Sequence, residues 1–229
     1  MPSYTKTILC LANSIKHYPL RCIAGREVTQ NGIHGWVRPV SPIAGQEGAI
    51  PPQSSLMTNG QQIAPLDFVT ISFTGHQPHG CQTENHLIDG QPWVKVSVLT
   101  RANITPYIQD VPDLWNFGNS TYNGVNDKIS PQEFAVFGDS LRLILAADFT
   151  YAVNMEGYQA YPQKRKLRGT FTYKGIKYTL KITDPVLCAN IAAMEIGKIY
   201  AQPNAVLCVS ITDIYAPANA HFKLIAAVF

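Results

Sequence analysis

Charged residues are scarce in this chain: they make up 14% of its 229 residues, against about 25% in typical soluble domains. No stretch approaches the ~18 consecutive apolar residues of a membrane-spanning helix. The N-terminal residues MPSYTKTILCLANS also lack the pattern of a secretory signal peptide. These absences predict a cytoplasmic protein without membrane contact, and they make each remaining charge more informative about a partner.

Cysteine is sparse and shows no pairing pattern. The chain has five cysteines, an odd number, and no CxxC pair, which argues against a disulfide framework. Cys10, Cys188 and Cys208 lie in apolar runs, where we expect small buried side chains. One loop carries the spacing H-x2-H-x-C-x4-H over residues 76–86, which fits no structural zinc pattern. We therefore expect no metal and no cofactor.

The usual catalytic patterns are missing as well. Ser14 and Ser210 have no GxSxG context, no pair of carboxylates stands at acid/base spacing, and no glycine-rich phosphate loop is present. Cys22 lies beside Arg21, which would favour a thiolate, but no histidine or aspartate partner can be assigned to it. The sequence favours a binding protein over an enzyme and identifies no catalytic residue.

Glycine and proline are plentiful, with sixteen of each, and together with many β-branched residues they predict strands and turns. Strands are predicted at residues 8–12, 20–29 and 33–40, with Asn31-Gly32 as a type I′ turn between the last two. Further strands at 67–73 and 93–99 follow a long connection and a loop. Five strands by residue 99 would complete one OB-like barrel.

The second half repeats this order of elements. Strands are predicted at 141–154, 164–173 and 176–183, with a tight turn at Lys174-Gly175. Asp184-Pro185 then begins a helix over residues 186–200, and strands at 205–211 and 222–229 follow. The predicted fold is mainly β: two tandem OB-like five-stranded barrels, with a helix between strands 3 and 4 of the second. The predicted domains are 1–100, 140–229 and a docked bridging segment, 101–139, with apolar anchors at Trp115, Phe117 and Tyr122.

Positive charge is concentrated in one segment. Residues 151–183 hold seven basic residues and one acid, a net charge of +6, so the rest of the chain carries −3. Strand alternation places Lys166, Arg168, Lys177 and Lys181 on the outer face of the predicted hairpin, opposite its apolar face. The outer face of strands two and three is a usual ligand surface of OB folds. This distribution indicates an anionic partner, with Trp36, Tyr158 and Tyr161 as candidate stacking platforms.

Several stretches together resemble a bacterial family described as dual OB-containing domains. They are CLANS-x-K with RCIAG (10–25), GWVRPVS (35–41), PLDFV (65–69), QTENHLID (82–89), LWNFGNSTYNGVNDK (114–128), FTYKGIKYTLKITDP (171–185), and CVS (208–210) with FKLIAAVF (222–229). The resemblance spans nearly the whole chain. It implies modules that recognise nucleic acids or nucleotides, often suspected in defence against phage, and it carries over no catalytic residue set. Its polar positions are Lys16, Arg21, Arg38, Asn85, Asn126, Asp127 and Asp184.

Three functional hypotheses follow. The first is a nucleic-acid-binding protein, part of a bacterial defence system, with a basic groove across both barrels that holds single-stranded or duplex nucleic acid, DNA or RNA. Its predicted contacts are Lys16, Arg21, Arg38, Arg165, Arg168, Lys177 and Lys181. The second is a pocket between the barrels that binds, or hydrolyses, a small anionic ligand or nucleotide. Its predicted lining is Lys16, Arg21, Arg38, Asn85, Asn126 and Asp127, although Asn126-Asp127 alternatively forms an Asx-turn. The third is an interaction module that binds a partner protein of a multi-component system through exposed strand edges.

Overall fold

The computed structural model describes residues 3–115, 118–157 and 162–229. Over these residues the fold is mainly β, with two separate sheets. The chain divides into unit 1, which comprises Met1–Ile108 and Gly138–Ser140, and unit 2, which comprises Gln109–Phe137 and Leu141–Phe229. No helix of the described residues is long and apolar enough to cross a membrane.

Unit 1 contains a six-stranded sheet. Its strands are β1 (Tyr4–Ile15), β2 (Arg21–Thr29), β3 (Gly32–Val40), β4 (Asp67–His76), β5 (Asn85–Ile88) and β6 (Val94–Val98). Their order in the sheet is β1-β2-β3-β5-β4-β6, and β1 also pairs with β4. The β3–β5 pair is parallel, whereas the other pairs are antiparallel. The inner face is apolar: Ile8, Ile23, Val69 and Phe73 are completely buried.

The sequence misassigned one strand of this sheet. The segment after β4 is predicted to be a loop, but it contains β5, which pairs with both β3 and β4. The predicted fifth strand is instead β6, an edge strand that pairs with β4. Sequence pattern missed β5 because it has only four residues, and its first two, Asn85 and His86, are polar.

The two predicted hairpin turns differ in outcome. The type I′ assignment of Asn31-Gly32 is wrong, because Gly32 has a φ of 122° whereas Asn31 is not among the residues with positive φ. Thr29 pairs with Gly32, so residues 30–31 form the connection between β2 and β3. At Lys174-Gly175 both residues have positive φ, 50° and 78°, which is the requirement of a type I′ turn.

The described residues of unit 2 form eight strands. They are β7 (Lys128–Ile129), β8 (Leu141–Ala146), β9 (Thr150–Glu156), β10 (Lys164–Tyr173), β11 (Ile176–Ile182), β12 (Ile199–Ala201), β13 (Ala205–Ile211) and β14 (His221–Val228). The main order is β12-β9-β10-β11-β14-β13-β8, and β7 pairs with β14. The β11–β14 pair is parallel. Leu143, Phe149, Tyr178 and Ile225 are completely buried between these strands.

The predicted helix over residues 186–200 is wrong in extent. Helix α1 (Pro131–Phe134) precedes β8, and helix α2 covers only Pro185–Ala189, capped by the Asp184 carboxylate. Beyond α2, Ile196 and Ile199 are 47% and 70% exposed, so their apolar spacing packs against no core. A helix gains most of its stability from such packing, and here Ile199–Ala201 form strand β12 instead.

Residues 109–115 belong to unit 2 and are held in it by hydrogen bonds to two tyrosine hydroxyls. The Tyr173 hydroxyl donates to the Val111 carbonyl at 2.9 Å and the Leu114 N–H donates to the Tyr178 hydroxyl at 3.3 Å. Leu114 and Trp115 are 0% and 2% exposed. The predicted anchors therefore differ: Trp115 is buried, Tyr122 is fully exposed, and Phe117 lies outside the described residues.

Candidate nucleic-acid interface

The hairpin of β10 and β11 has an apolar face and a polar face. Leu167, Phe171, Tyr178 and Leu180 are buried in unit 2, and the intervening residues point the other way because side chains alternate along a strand. The register places Arg168 opposite Lys181. The polar face that strand alternation predicted is therefore confirmed.

Four lysines stand on this polar face, and we refer to them as the hairpin lysines: Lys164, Lys166, Lys177 and Lys181. Lys164 and Lys177 are exposed, and the other two are half-buried. Burial lowers the pKa of Lys181, and the positive charges of Lys166 and Arg168 lower it further. Within residues 3–115, 118–157 and 162–229, none of the four makes an ion pair. The face thus holds positive charge that an anion would neutralise.

Arg168 lies in the same row but is already neutralised. Its guanidinium makes two hydrogen bonds to the Glu156 carboxylate, at 2.5 and 3.0 Å, and a third contact to Asp127 at 3.4 Å. Asp127 is held in turn by the N–H and hydroxyl of Thr121, both at 2.7 Å. Arg168 therefore pairs with two carboxylates, and one of them, Glu156, lies on the polar face opposite Lys164.

Arg165, a predicted contact, is engaged by backbone. Its Nη1 donates to the carbonyls of Ile191 and Met194, at 3.1 and 2.6 Å. In a continuous helix these carbonyls would accept from residues 195 and 198. Arg165 thus stabilises the irregular segment after α2, which adds a reason why the predicted helix ends early.

In unit 1 the predicted cations occupy two places. Lys16 follows β1, where its Nζ donates to the Glu47 carbonyl at 2.7 Å and lies 3.4 Å from a Glu47 carboxylate oxygen. Arg21 opens β2, exchanges backbone hydrogen bonds with Ile50, and has a buried Nη1 without a partner among the described residues.

Arg38 is the most enclosed of the predicted unit 1 cations, at 9% exposed. Its Nη2 donates to Glu84 at 2.9 Å and to the Ser140 hydroxyl at 2.8 Å, and Ser140 donates to the same carboxylate. Asn85 lies opposite Arg38 in the parallel register, and its Nδ2 donates to Gln82 at 3.2 Å. Arg38 is thus part of a buried, charge-balanced cluster.

The predicted lining of the ligand pocket is divided between the units. Lys16, Arg21, Arg38 and Asn85 belong to unit 1, and Asn126 and Asp127 belong to unit 2. Asn126 has a φ of 51° and donates to the Lys177 carbonyl at 2.9 Å. Asp127 accepts hydrogen bonds from the N–H and the hydroxyl of Thr121, so the two side chains hold the backbone beside β11 in place.

Of the three candidate stacking platforms, the structure describes Trp36. Trp36 lies under the Arg26 guanidinium at 6.0 Å from the ring centroid, whereas Tyr158 and Tyr161 lie outside the described residues. No group of three potential metal ligands occurs among the described residues. Burial raises the pKa of the Cys81 thiol to about 12 and lowers that of His86, whose Nδ1 is 2.6 Å from the Tyr4 hydroxyl, to about 4.

The contacts predicted from sequence leave out several charged residues that the structure makes important. Strand alternation already places Lys166 on the outer face with Arg168, but Lys166 is not among the predicted contacts. Lys223 has the strand parity of the buried Ile225, which marks it as inward-facing. Glu84 and Glu156 carry no sequence signal, because their partners come from other strands.

Comparison with known proteins places the chain in context. A family model described as dual OB-containing domain matches residues 6–228. No curated protein matches the sequence. One similar solved structure is titled "Crystal structure of the tetrameric p202 HIN2"; the identity is 9%, the TM-score is 0.31, and the match covers 99% of this chain and 91% of that chain. Another is a murine DNA-binding protein bound with ds DNA, with 7% identity, a TM-score of 0.31, and coverage of 100% and 97%. Likenesses this weak carry no argument about the function.

Proposed function

Because this chain belongs to the dual OB-containing domain family, we propose that it binds nucleic acid through the hairpin lysines of unit 2. OB folds commonly bind oligonucleotides on the outer face of strands two and three. In unit 2, β9, β10 and β11 form the opening antiparallel meander, so β10 and β11 correspond to those two strands. The hairpin lysines stand on that outer face.

The strand pairings support an OB-like barrel in each unit. In unit 1 the order β1-β2-β3-β5-β4 returns to β1 through the β1–β4 pair. In unit 2, β9 pairs with β10 and β8 pairs with β13, so β8 and β9 together take the place that β1 has in unit 1. The parallel pairs β3–β5 and β11–β14 occupy the same position in both sequences of strands.

The surplus of positive charge on the hairpin carries the proposal. Glu156, which lies opposite Lys164 in the strand register, and Asp127 are both paired with Arg168. The hairpin lysines therefore lack a protein counter-charge among the described residues, and a phosphate backbone would supply one. Lysines that contact phosphates bind without reading base sequence, so we expect binding with little sequence preference.

In unit 1 the charges favour a structural role. Arg38 is buried and neutralised by Glu84, so an anion would have to displace a carboxylate in order to bind there. We therefore place the nucleic acid on unit 2 and assign the Arg38 cluster to holding residues 138–140 in unit 1.

The test is a fluorescence anisotropy titration with labelled single-stranded DNA, duplex DNA and RNA at several salt concentrations. We expect binding at about 50 mM salt that weakens steeply as salt rises, because bound phosphates release counterions. The double variant Lys166→Glu/Lys181→Glu should bind more weakly and lower the salt slope by about 2. Arg101→Glu, an exposed charge change in unit 1, is the matched control.

Two results would refute the proposal. One is the absence of binding to all three polymers at about 50 mM salt, where phosphate contacts are strong. The other is a double variant that binds as tightly as Arg101→Glu does. Circular dichroism of each variant shows whether the fold is retained.

A further inference from the structure

The polar face of the β10–β11 hairpin continues across β9 onto β12. The register places Arg168 opposite Ala152 of β9, and Ala152 opposite Ile199 of β12. These pairings run without a register shift through the described residues of the strands. Residues directly opposite each other lie on the same face of a sheet, so Ile199 shares its face with Lys181, which lies opposite Arg168. One surface therefore extends from Lys181 to Ile199 over three strand spacings, about 14 Å.

The two ends of this surface differ in chemistry. Strands β10 and β11 carry the hairpin lysines, whereas the charged residue that β9 places on this face, Glu156, is paired with Arg168. The other residues that β9 and β12 place there are neutral: Thr150, Ala152, Asn154, Ile199 and Ala201. Ile199 is the most apolar of them and is 70% exposed. The surface is thus cationic over the hairpin and neutral, with an exposed isoleucine, over β12.

This division matches the chemistry of a single nucleic-acid strand. Each nucleotide has an anionic phosphate on one side of its sugar and an aromatic base on the other, and in a single strand the faces of the bases are free to contact a protein. In a duplex the base faces are stacked inside the helix, and only base edges and phosphates can be reached. A duplex could therefore contact the hairpin lysines, but it would reach Ile199 with a base face only by unstacking a base step, at a cost in free energy.

We propose that unit 2 binds a single strand, with the phosphates over β10 and β11 and the bases over β9 and β12, where Ile199 packs against a base. This inference rests on the proposed function and names the class of its ligand. It also adds a contact residue that strengthens binding without neutralising a phosphate. Every base has an apolar face that an aliphatic side chain can cover, so the contact with Ile199 does not select one base over another.

The experiment is a fluorescence anisotropy titration of the full-length chain with labelled oligothymidine, with a duplex of the same length and with an abasic strand of that length. We expect oligothymidine to bind more tightly than the duplex, because it alone makes both kinds of contact. Ile199→Ser should weaken its binding about fivefold, since an apolar contact with a base is lost. The salt slope should not change, because no phosphate contact is removed. Val98→Ser, at a valine of β6 that is 58% exposed, is the matched control.

Two further measurements test whether Ile199 contacts a base. On the abasic strand, Ile199→Ser and the wild type should bind equally tightly, because there is no base for the isoleucine to cover. Ile199→Trp should bind oligothymidine about threefold more tightly than the wild type, because an aromatic ring stacks on a base better than an aliphatic side chain does. Circular dichroism shows whether each variant keeps its fold.

The results separate this inference from the function on which it rests. The inference is overturned if Ile199→Ser binds oligothymidine as tightly as Val98→Ser does, which would leave Ile199 for contact with a partner protein. It is also overturned if the duplex binds more tightly than the single strand. The proposed function survives both results, because the hairpin lysines would still contact phosphates. The absence of binding to every polymer would refute the proposed function and the inference together.

Discussion

Lys223 is a buried charge in the interior of unit 2, and its removal should stabilise the protein. The side chain is 1% exposed, and its Nζ lies 5.3 Å from the centroid of the Tyr178 ring. Burial lowers its pKa from 10.5 to about 8, although the negative charges of Asp113, Asp127 and Glu133 act in the opposite direction. The loss of hydration therefore outweighs the attraction of the surrounding carboxylates.

The magnitude follows from the difference between the two pKa values. At about 1.4 kcal/mol per pH unit, the change from 10.5 to about 8 corresponds to about 3 kcal/mol. The unfolded chain binds the proton more tightly than the folded one, so the unfolding free energy rises with pH between about 8 and 10.5. Below pH 8 the folded state carries the whole cost of the buried ammonium.

The variant Lys223→Met replaces the amine with an unbranched apolar side chain. At pH 7 we expect its unfolding free energy to exceed that of the wild type by about 3 kcal/mol. At pH 10 most of this advantage should be gone, with roughly 1 kcal/mol remaining, because the amine is then neutral in the fold and partly neutral in the unfolded chain.

Urea unfolding at pH 7 and pH 10 measures both differences. Lys177→Met removes an exposed lysine from β11 and should stay within about 0.5 kcal/mol of the wild type at each pH. The reasoning is refuted if Lys223→Met is less stable at pH 7, which would show that the contact with Tyr178 outweighs the loss of hydration. It is also refuted if the difference between variant and wild type is the same at both pH values.

Two further predictions concern unit 1, and both are read from urea unfolding. Glu84→Ala should lower the unfolding free energy by about 3 kcal/mol, because it leaves the Arg38 charge buried without a partner; the double variant Arg38→Met/Glu84→Leu should lose less, and an equal loss would contradict this account. Gly25→Ala should lower the unfolding free energy by about 2 kcal/mol. A Cβ at this position would lie 2.2 Å from the Leu9 carbonyl oxygen, which belongs to the backbone and cannot move aside. A change below about 0.5 kcal/mol would show that β1 and β2 separate more easily than this geometry implies.

Strand faces were predictable from sequence because they depend on alternation alone. In β10 and β11 the period of two separates the buried Phe171 and Leu180 from the outward Arg168 and Lys181 without any knowledge of the partners. The tight turn at Lys174-Gly175 was also predictable, because a turn depends on adjacent residues alone. Short or irregular elements were not predictable. Strand β5 has only four residues, and the apolar spacing after Pro185 is typical of a helix although Ile196 and Ile199 are exposed.

The state of each charge was beyond sequence reasoning. In the sequence, Arg38, Arg168 and Lys181 are all cationic residues of predicted strands, and nothing local distinguishes them. The structure separates them through partners that are distant in the chain: Ser140 is 102 residues from Arg38, and Asp127 is 41 residues from Arg168. An electrostatic energy depends on the distance between charges in space, and sequence separation does not supply that distance.

The amino-acid sequence by itself determined the β class, the alternating faces of the hairpin and the concentration of positive charge in residues 151–183, because each depends on neighbouring residues only. The tertiary structure alone decided which of those charges are neutralised and which strand is left at an edge. These properties arise when the strands pair and bring remote side chains together, so no local pattern contains them.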